Sequence, residues 1–183
     1  EKVSKKILIV GGGNIGFNLA KNIEENLDAA RVKIIEKNKS RAEQLAGELS
    51  SSIIICGDPL DEKILKEANI EEIETVFALT DDDEDNIISC MQAKQLGVQQ
   101  VMALITRSAY VDMMHGGPIN IAISPQQVMV GSILRYLRKG DVLNVCSLRG
   151  NMAEVMEVKV HGDKKTSKIV GRAVSQVKWP KHV

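Results

Sequence analysis

The chain has 183 residues, 44% of them hydrophobic and 26% charged, an ordinary globular make-up. Its 24 basic and 24 acidic side chains cancel, which excludes a global field aimed at nucleic acid or an anionic membrane. No apolar run approaches the roughly 20 residues a helix needs to cross a bilayer. The three cysteines, Cys56, Cys90 and Cys146, have no metal-ligand spacing and are expected as buried free thiols of a reducing compartment.

The apolar run Ile7 to Val10 predicts a first strand, and it breaks into Gly11-Gly12-Gly13-Asn14-Ile15-Gly16. Gly11, Gly13 and Gly16 fit G-x-G-x-x-G, with one glycine for a tight turn, one for a diphosphate to approach, and one for close helix–strand packing. The helix that follows carries Ile15, Leu19, Ala20 and Ile23 and runs to about Leu27. Its first amides lack intrahelical partners and carry the positive end of the dipole, which favours an anion. Val32 to Glu36 is a second strand, ending in an acid 20 residues after Gly16. A carboxylate there can accept both ribose hydroxyls of an adenosine and repels a 2′-phosphate, which favours NAD over NADP; Lys37, the next residue, would soften that discrimination.

Asn38 or Ser40 can cap a helix carrying Ala42, Leu45, Ala46 and Leu49. Ser52 to Cys56 reads as a strand buried on both faces, and Gly57-Asp58-Pro59 turns the chain into a helix with Ile64, Leu65 and Ala68. Thr75 to Leu79 is the fourth strand, followed by an acidic turn and a helix over 84–96 that Gly97 stops. Val101 to Ile105, a short helix around Tyr110 to Met114, the turn Gly116-Gly117-Pro118, and Ile119 to Ile123 complete six strands. Such alternation demands a parallel, doubly wound α/β sheet covered on both faces. Ser124-Pro125 then opens a helix that Gly140 ends. Two strands, Val142 to Leu148 and Val155 to Val160, and a helix from about Val170 to Val177 follow, reaching Trp179-Pro180. The expected division is a Rossmann-like nucleotide-binding lobe with its last helix over 1–140, and the truncated start of a small α+β lobe over 141–183.

In such a sheet ligands lie over the carboxyl ends of the strands. Candidate nucleotide contacts are therefore Gly11, Gly13, Asn14, Ile15, Gly16, Glu36, Lys37, Gly57, Asp58, Thr80 and Arg107. Gly57-Asp58 serves either an adenine edge or a plain turn with Asp58 as its cap. Arg107 either reaches a phosphate or is simply solvated. The run Asp81-Asp82-Asp83-Glu84-Asp85 reads as acids at a helix N-terminus rather than a cation site, so no metal is expected. His115, His161 and His182 lie outside the nucleotide turns, and the Tyr136 and Lys139 spacing is one residue short of a dehydrogenase Tyr–Lys pair. Catalysis is not expected; the alternative is an NAD-dependent oxidoreductase fragment lacking its substrate domain.

Ile9-Val-Gly-Gly-Gly-Asn-Ile-Gly16, Leu79-Thr-Asp-Asp-Asp-Glu-Asp-Asn86, Ile121-Ala-Ile-Ser-Pro-Gln-Gln127, His161-Gly-Asp and Ser167-Lys-Ile-Val-Gly-Arg172 together resemble the TrkA family, peripheral regulatory subunits of bacterial Trk potassium uptake systems. The resemblance covers essentially the whole chain. It implies the second of two units regulating potassium conductance, with its C-lobe cut short; the start Glu1-Lys-Val-Ser agrees with a fragment. It further implies a cytoplasmic protein, peripheral on the inner face of the membrane, that binds NAD, NADH, ATP or ADP and gates a Trk-type potassium-translocating membrane subunit. By the same resemblance Gly11, Gly13, Asn14, Ile15 and Gly16 meet the diphosphate, Glu36 holds the ribose, and Gly57, Asp58 and Thr80 line the adenosine side. The helix at 125–138 becomes a homo-oligomer surface through Val128, Met129, Ile133, Leu134 and Leu137, rather than intramolecular core. The turn with Asn120 departs from the family, where an acid is expected before Ile121.

Overall fold

A computed structural model describes residues 4–114, 117, 119–137, 142–148, 153–163 and 165–178. Strands β1 (Lys6–Val10), β2 (Arg31–Glu36), β3 (Ile53–Cys56), β4 (Thr75–Ala78), β5 (Gln100–Leu104) and β6 (Ile121–Ile123) form one parallel sheet in the order β3-β2-β1-β4-β5-β6. The chain thus starts in the middle of the sheet, winds to one edge, then returns across β1 to the other. Ile7 and Ile9 of β1 pack on one face with helices α1 (Asn14–Asn26) and α2 (Lys39–Glu48), through Ala20, Ile23 and Leu45. Leu8 and Val10 point the other way, where α3 (Glu62–Glu67) and α4 (Asp83–Gln95) supply Leu65, Cys90 and Ala93. The two-residue period of the strand thereby feeds both cores. Helix α5 (Ser108–Met113) leads into β6, where Asn120 fixes the register: its Oδ1 accepts the Val101 amide at 2.9 Å and its amide donates to the Val101 carbonyl at 3.2 Å.

Three sequence expectations are corrected. Strand β3 is the sheet edge, so Ile53 is exposed and only Ile55 is buried; an apolar run cannot reveal that a strand has one neighbour instead of two. Cys56, on the same edge, is exposed, while Cys90 is buried and its thiol is pushed up to about 12 by that burial. The helix expected over 170–177 is a single 3₁₀ turn, Val174–Gln176, because Gly171 takes a left-handed φ of +72° and the backbone is extended at Ala173 and again at Val177.

By its contacts the chain divides into Glu1–Pro125 and Gln126–Val183. Among the described residues of the second unit are α6 (Pro125–Leu137, beginning at the boundary), an antiparallel pair, β7 (Val142–Leu148) with β8 (Ala153–Val158), and the 3₁₀ turn. Val128, Met129, Val130 and Ile133 of α6 are all more than half exposed, whereas the side chains of Leu134, Tyr136 and Leu137 lie outside the described residues. His115, Gly116, Pro118, Lys139, Gly140, Trp179 and His182 also lie outside them. Among the described residues no helix is long and apolar enough to cross a membrane.

Candidate nucleotide site

The loops after β1, β2, β3, β4 and β5 meet at the carboxyl edge of the sheet. Backbone bonds bring them together: the Gly11 amide donates to Ile35, Gly57 to Glu36, and Leu79 to Val10, at 2.8–3.0 Å. Gly11 has a left-handed φ of +96°, and a Cβ there would meet the Thr80 nitrogen at 2.9 Å. A Cβ on Gly16 would lie 2.0 Å from the Gly11 carbonyl oxygen, so this glycine lets α1 start directly against the turn. Gly13 has nothing within 4 Å of an added Cβ. It faces open space at the N-cap of α1, with no side chain capping the helix. The first helical bond to the cap comes only from Phe17. The amides of Asn14, Ile15 and Gly16 are therefore donors at the positive end of a 13-residue dipole. Ile15 is half exposed beside them.

Glu36 ends β2 with its carboxylate fixed. Oε2 accepts the Gly12 amide at 2.8 Å, and Oε1 accepts the Asn38 amide at 2.7 Å. Asn38 in turn caps α2 by accepting the Arg41 amide at 3.1 Å, as its position predicts. Arg41 Nε donates to the Gly12 carbonyl at 2.8 Å, and its guanidinium lies 5.6 Å from the centre of the Phe17 ring. The Gly12 peptide is thus held at both ends, by an acid and by a base. A Cβ on Gly12 would collide with Leu45 at 2.2 Å. Sequence reading missed Gly12 and Arg41: in a run of three glycines the middle one carries no separate signal, and Arg41 looks like a solvated helix residue.

Lys37 and Asp58 meet as an ion pair at 2.7 Å. Asp58 Oδ1 also accepts the Leu60 amide at 3.0 Å, so it does cap its turn. A Cβ on Gly57 would lie 2.5 Å from Ile64. Across β1, Thr80 is tied to Asn86, which is fully buried. Asn86 Oδ1 accepts both the Thr80 amide at 2.9 Å and the Thr80 hydroxyl at 2.8 Å. Its Nδ2 donates to the carbonyls of Thr80 at 3.1 Å and Leu104 at 3.0 Å.

The acidic run has distinct structural tasks. Asp82 caps α4 by accepting the Asp85 amide at 2.8 Å. Asp83 is buried and accepts the amides of Thr106 and Arg107 and the Thr106 hydroxyl at 2.8–2.9 Å. Burial works against its charge and is outweighed by these donors, which hold its carboxyl below the usual range. Arg107 does not extend freely toward the glycine turn. Its Nη1 donates to Glu84 Oε1 at 2.8 Å and to the Tyr110 hydroxyl at 3.1 Å. Tyr110 itself donates to Glu84 at 2.8 Å. Among the described residues no group of three or more His, Cys, Asp or Glu could hold a metal ion.

The family model for the TrkA-N domain matches residues 7–125. The Trk system potassium uptake protein TrkA of Vibrio alginolyticus is 49% identical over 180 residues, 98% of this chain and 39% of that protein. The chain therefore spans about two fifths of the length of such relatives. The TrkA-N domain of the inner membrane protein ybaL from Escherichia coli superposes with a TM-score of 0.65 at 15% identity, covering 75% of this chain and all of that one. The GsuK channel bound to NAD superposes at 0.60 and 20% identity, over 81% of this chain and 26% of that chain. A GsuK structure bound to ADP gives 0.59 at 20% identity, over 73% and 35%.

Proposed function

This chain belongs to the TrkA-N domain family, and from that premise we propose that it is a nucleotide-sensing regulatory unit of a potassium uptake system rather than an enzyme. The observation that carries the reading is the glycine turn: uncapped α1 amides and an open face at Gly13, beside a Glu36 carboxylate already locked in place. An anion at the helix start suits the diphosphate shared by NAD, NADH, ADP and ATP. Each Glu36 oxygen accepts one amide and keeps a lone pair for a ribose hydroxyl. Gly57, Asp58 and Thr80 line the adenosine side, with Lys37 paired to Asp58 beside them. Arg107 joins only by leaving Glu84. NAD and ADP in the GsuK structures of like fold support the ligand class.

In this reading, residues 1–140 form the nucleotide lobe and 141–183 belong to a regulatory C-lobe. The exposed apolar residues Val128, Met129 and Ile133 of α6 form a homo-oligomer surface. The assembly sits on the cytoplasmic face of a Trk-type membrane subunit and shifts its conductance. A nucleotide does this only by binding one state of the assembly more tightly than another.

Titrating the chain calorimetrically with NAD, NADH, ADP and ATP, with and without magnesium, tests the site. Micromolar binding is expected, weakened at least about tenfold by Glu36→Ala combined with Gly13→Asp. No binding by a well-folded chain, or affinities unmoved by the double substitution, would sink the assignment.

A further inference from the structure

Arg41, which shares Gly12 with Glu36, and Lys37, the residue after Glu36, are both already engaged. Arg41 donates from Nε to the Gly12 carbonyl and from Nη1 to Gln44 Oε1, each at 2.8 Å. Lys37 Nζ lies 2.7 Å from Asp58 Oδ2, joining the end of β2 to the turn after β3. A nucleotide with a phosphate on its adenosine 2′-oxygen would place that charge where Glu36 accepts the ribose, so it needs a free cation to offset the repulsion. The sequence offers Lys37 for that task; the structure has it occupied.

We propose that Asp58 is a specificity-determining residue of the nucleotide site, excluding 2′-phosphorylated nucleotides by holding Lys37. The inference rests on the nucleotide-binding reading above. Asp58 is suited to the role because its turn fixes it independently of Lys37: Oδ1 accepts the Leu60 amide at 3.0 Å, leaving Oδ2 for the ammonium. The Lys37 hydrogen bond keeps the Asp58 carboxyl below its usual range, and the same bond raises the Lys37 ammonium. Glu36 and Asp58 thus act at successive points. One repels the extra phosphate, and the other removes the cation that would have welcomed it. Both side chains of the pair are substantially exposed, so the discrimination it adds is modest in size.

The test measures NADH and NADPH affinities of the wild-type chain, Asp58→Asn, and Asp58→Asn with Lys37→Ala. Asparagine keeps an oxygen for the Leu60 amide while removing the charge, and circular dichroism verifies the fold of each variant. Asp58→Asn is expected to shift the affinity ratio toward NADPH about fivefold, the scale of an exposed ion pair. Adding Lys37→Ala should return the ratio to its wild-type value. NADH binding with a ratio unmoved by Asp58→Asn would overturn this inference alone, as would a gain that survives the loss of Lys37. A wild-type chain that binds neither nucleotide would overturn the site reading and this inference with it.

Discussion

Asn86→Asp changes one atom at the centre of the loops after β4 and β5, and the structure fixes both its size and its pH dependence. Asn86 is fully buried, and its Nδ2 donates to the carbonyls of Thr80 and Leu104. An ionised aspartate turns an oxygen toward those two carbonyls in place of the donor. Two acceptors lose their partner, at about 1–3 kcal/mol each, and a charge is buried among oxygens. A net loss of about 4 kcal/mol at neutral pH is expected, a large part of a typical domain's stability. Acidification should restore part of it. The folded carboxyl is raised above its unfolded value, so the variant binds a proton more readily when folded and gains stability as pH falls. Asn86→Ala is the control, costing about 3 kcal/mol through the unpaired Thr80 amide and the same two carbonyls, with no such pH dependence of its own. Urea denaturation at pH 7.5 and pH 5, followed by far-ultraviolet circular dichroism, measures both. An Asn86→Asp protein as stable as wild type, or one whose deficit against Asn86→Ala widens on acidification, would refute the reasoning.

The glycines should separate by role. Gly16→Ala places a methyl 2.0 Å from the Gly11 oxygen and should cost about 2–3 kcal/mol by displacing α1, lowering Tm and nucleotide affinity together. Gly13→Ala meets nothing and should cost only about 0.5–1 kcal/mol, the loss of a favoured N-cap residue, while weakening NADH binding, so an equal fall in Tm for both would contradict this geometry. Glu24 accepts the amides of Ser50, Ser51 and Ser52 at 2.6–3.0 Å. Burial opposes its charge and is outweighed by Ser52 and the other two amides, taking the carboxyl from its ordinary 4.5 to about 2. A depressed folded value gives stability that is present above pH 4.5 and lost as pH falls toward 2. Glu24→Gln should therefore lose about 1–2 kcal/mol at pH 7, with the difference shrinking across that interval in denaturant titrations; a pH-independent deficit would count against the ionised contact.

The parallel sheet and the glycine turn were legible in the sequence because they depend on local pattern. Ile7 to Val10 is apolar at every position, and only a strand covered on both faces needs that. Gly11 and Gly16 stand where a side chain would strike backbone, and Glu36 follows at the distance a strand–helix–strand unit sets. Helix α4 was legible in extent but not in orientation. It turns Asp83, Asn86, Ser89, Cys90 and Ala93 inward while Ile88 and Met91 remain substantially exposed, so hydrophobicity points to the wrong face. The reason lies in its first turn, where Asp83 and Asn86 meet loop amides and carbonyls that need partners more than apolar cover, while Cys90 and Ala93 further along join the apolar core. The same holds for Arg41 on Gly12, Lys37 on Asp58 and Arg107 on Glu84. The sequence by itself determined which six strands form the parallel sheet and which turns lie at its carboxyl edge. Only the tertiary structure decided which of those side chains are already spent on one another, because hydrogen-bond partners 20 or more residues apart are chosen by the packing of separate loops and leave no trace in local periodicity.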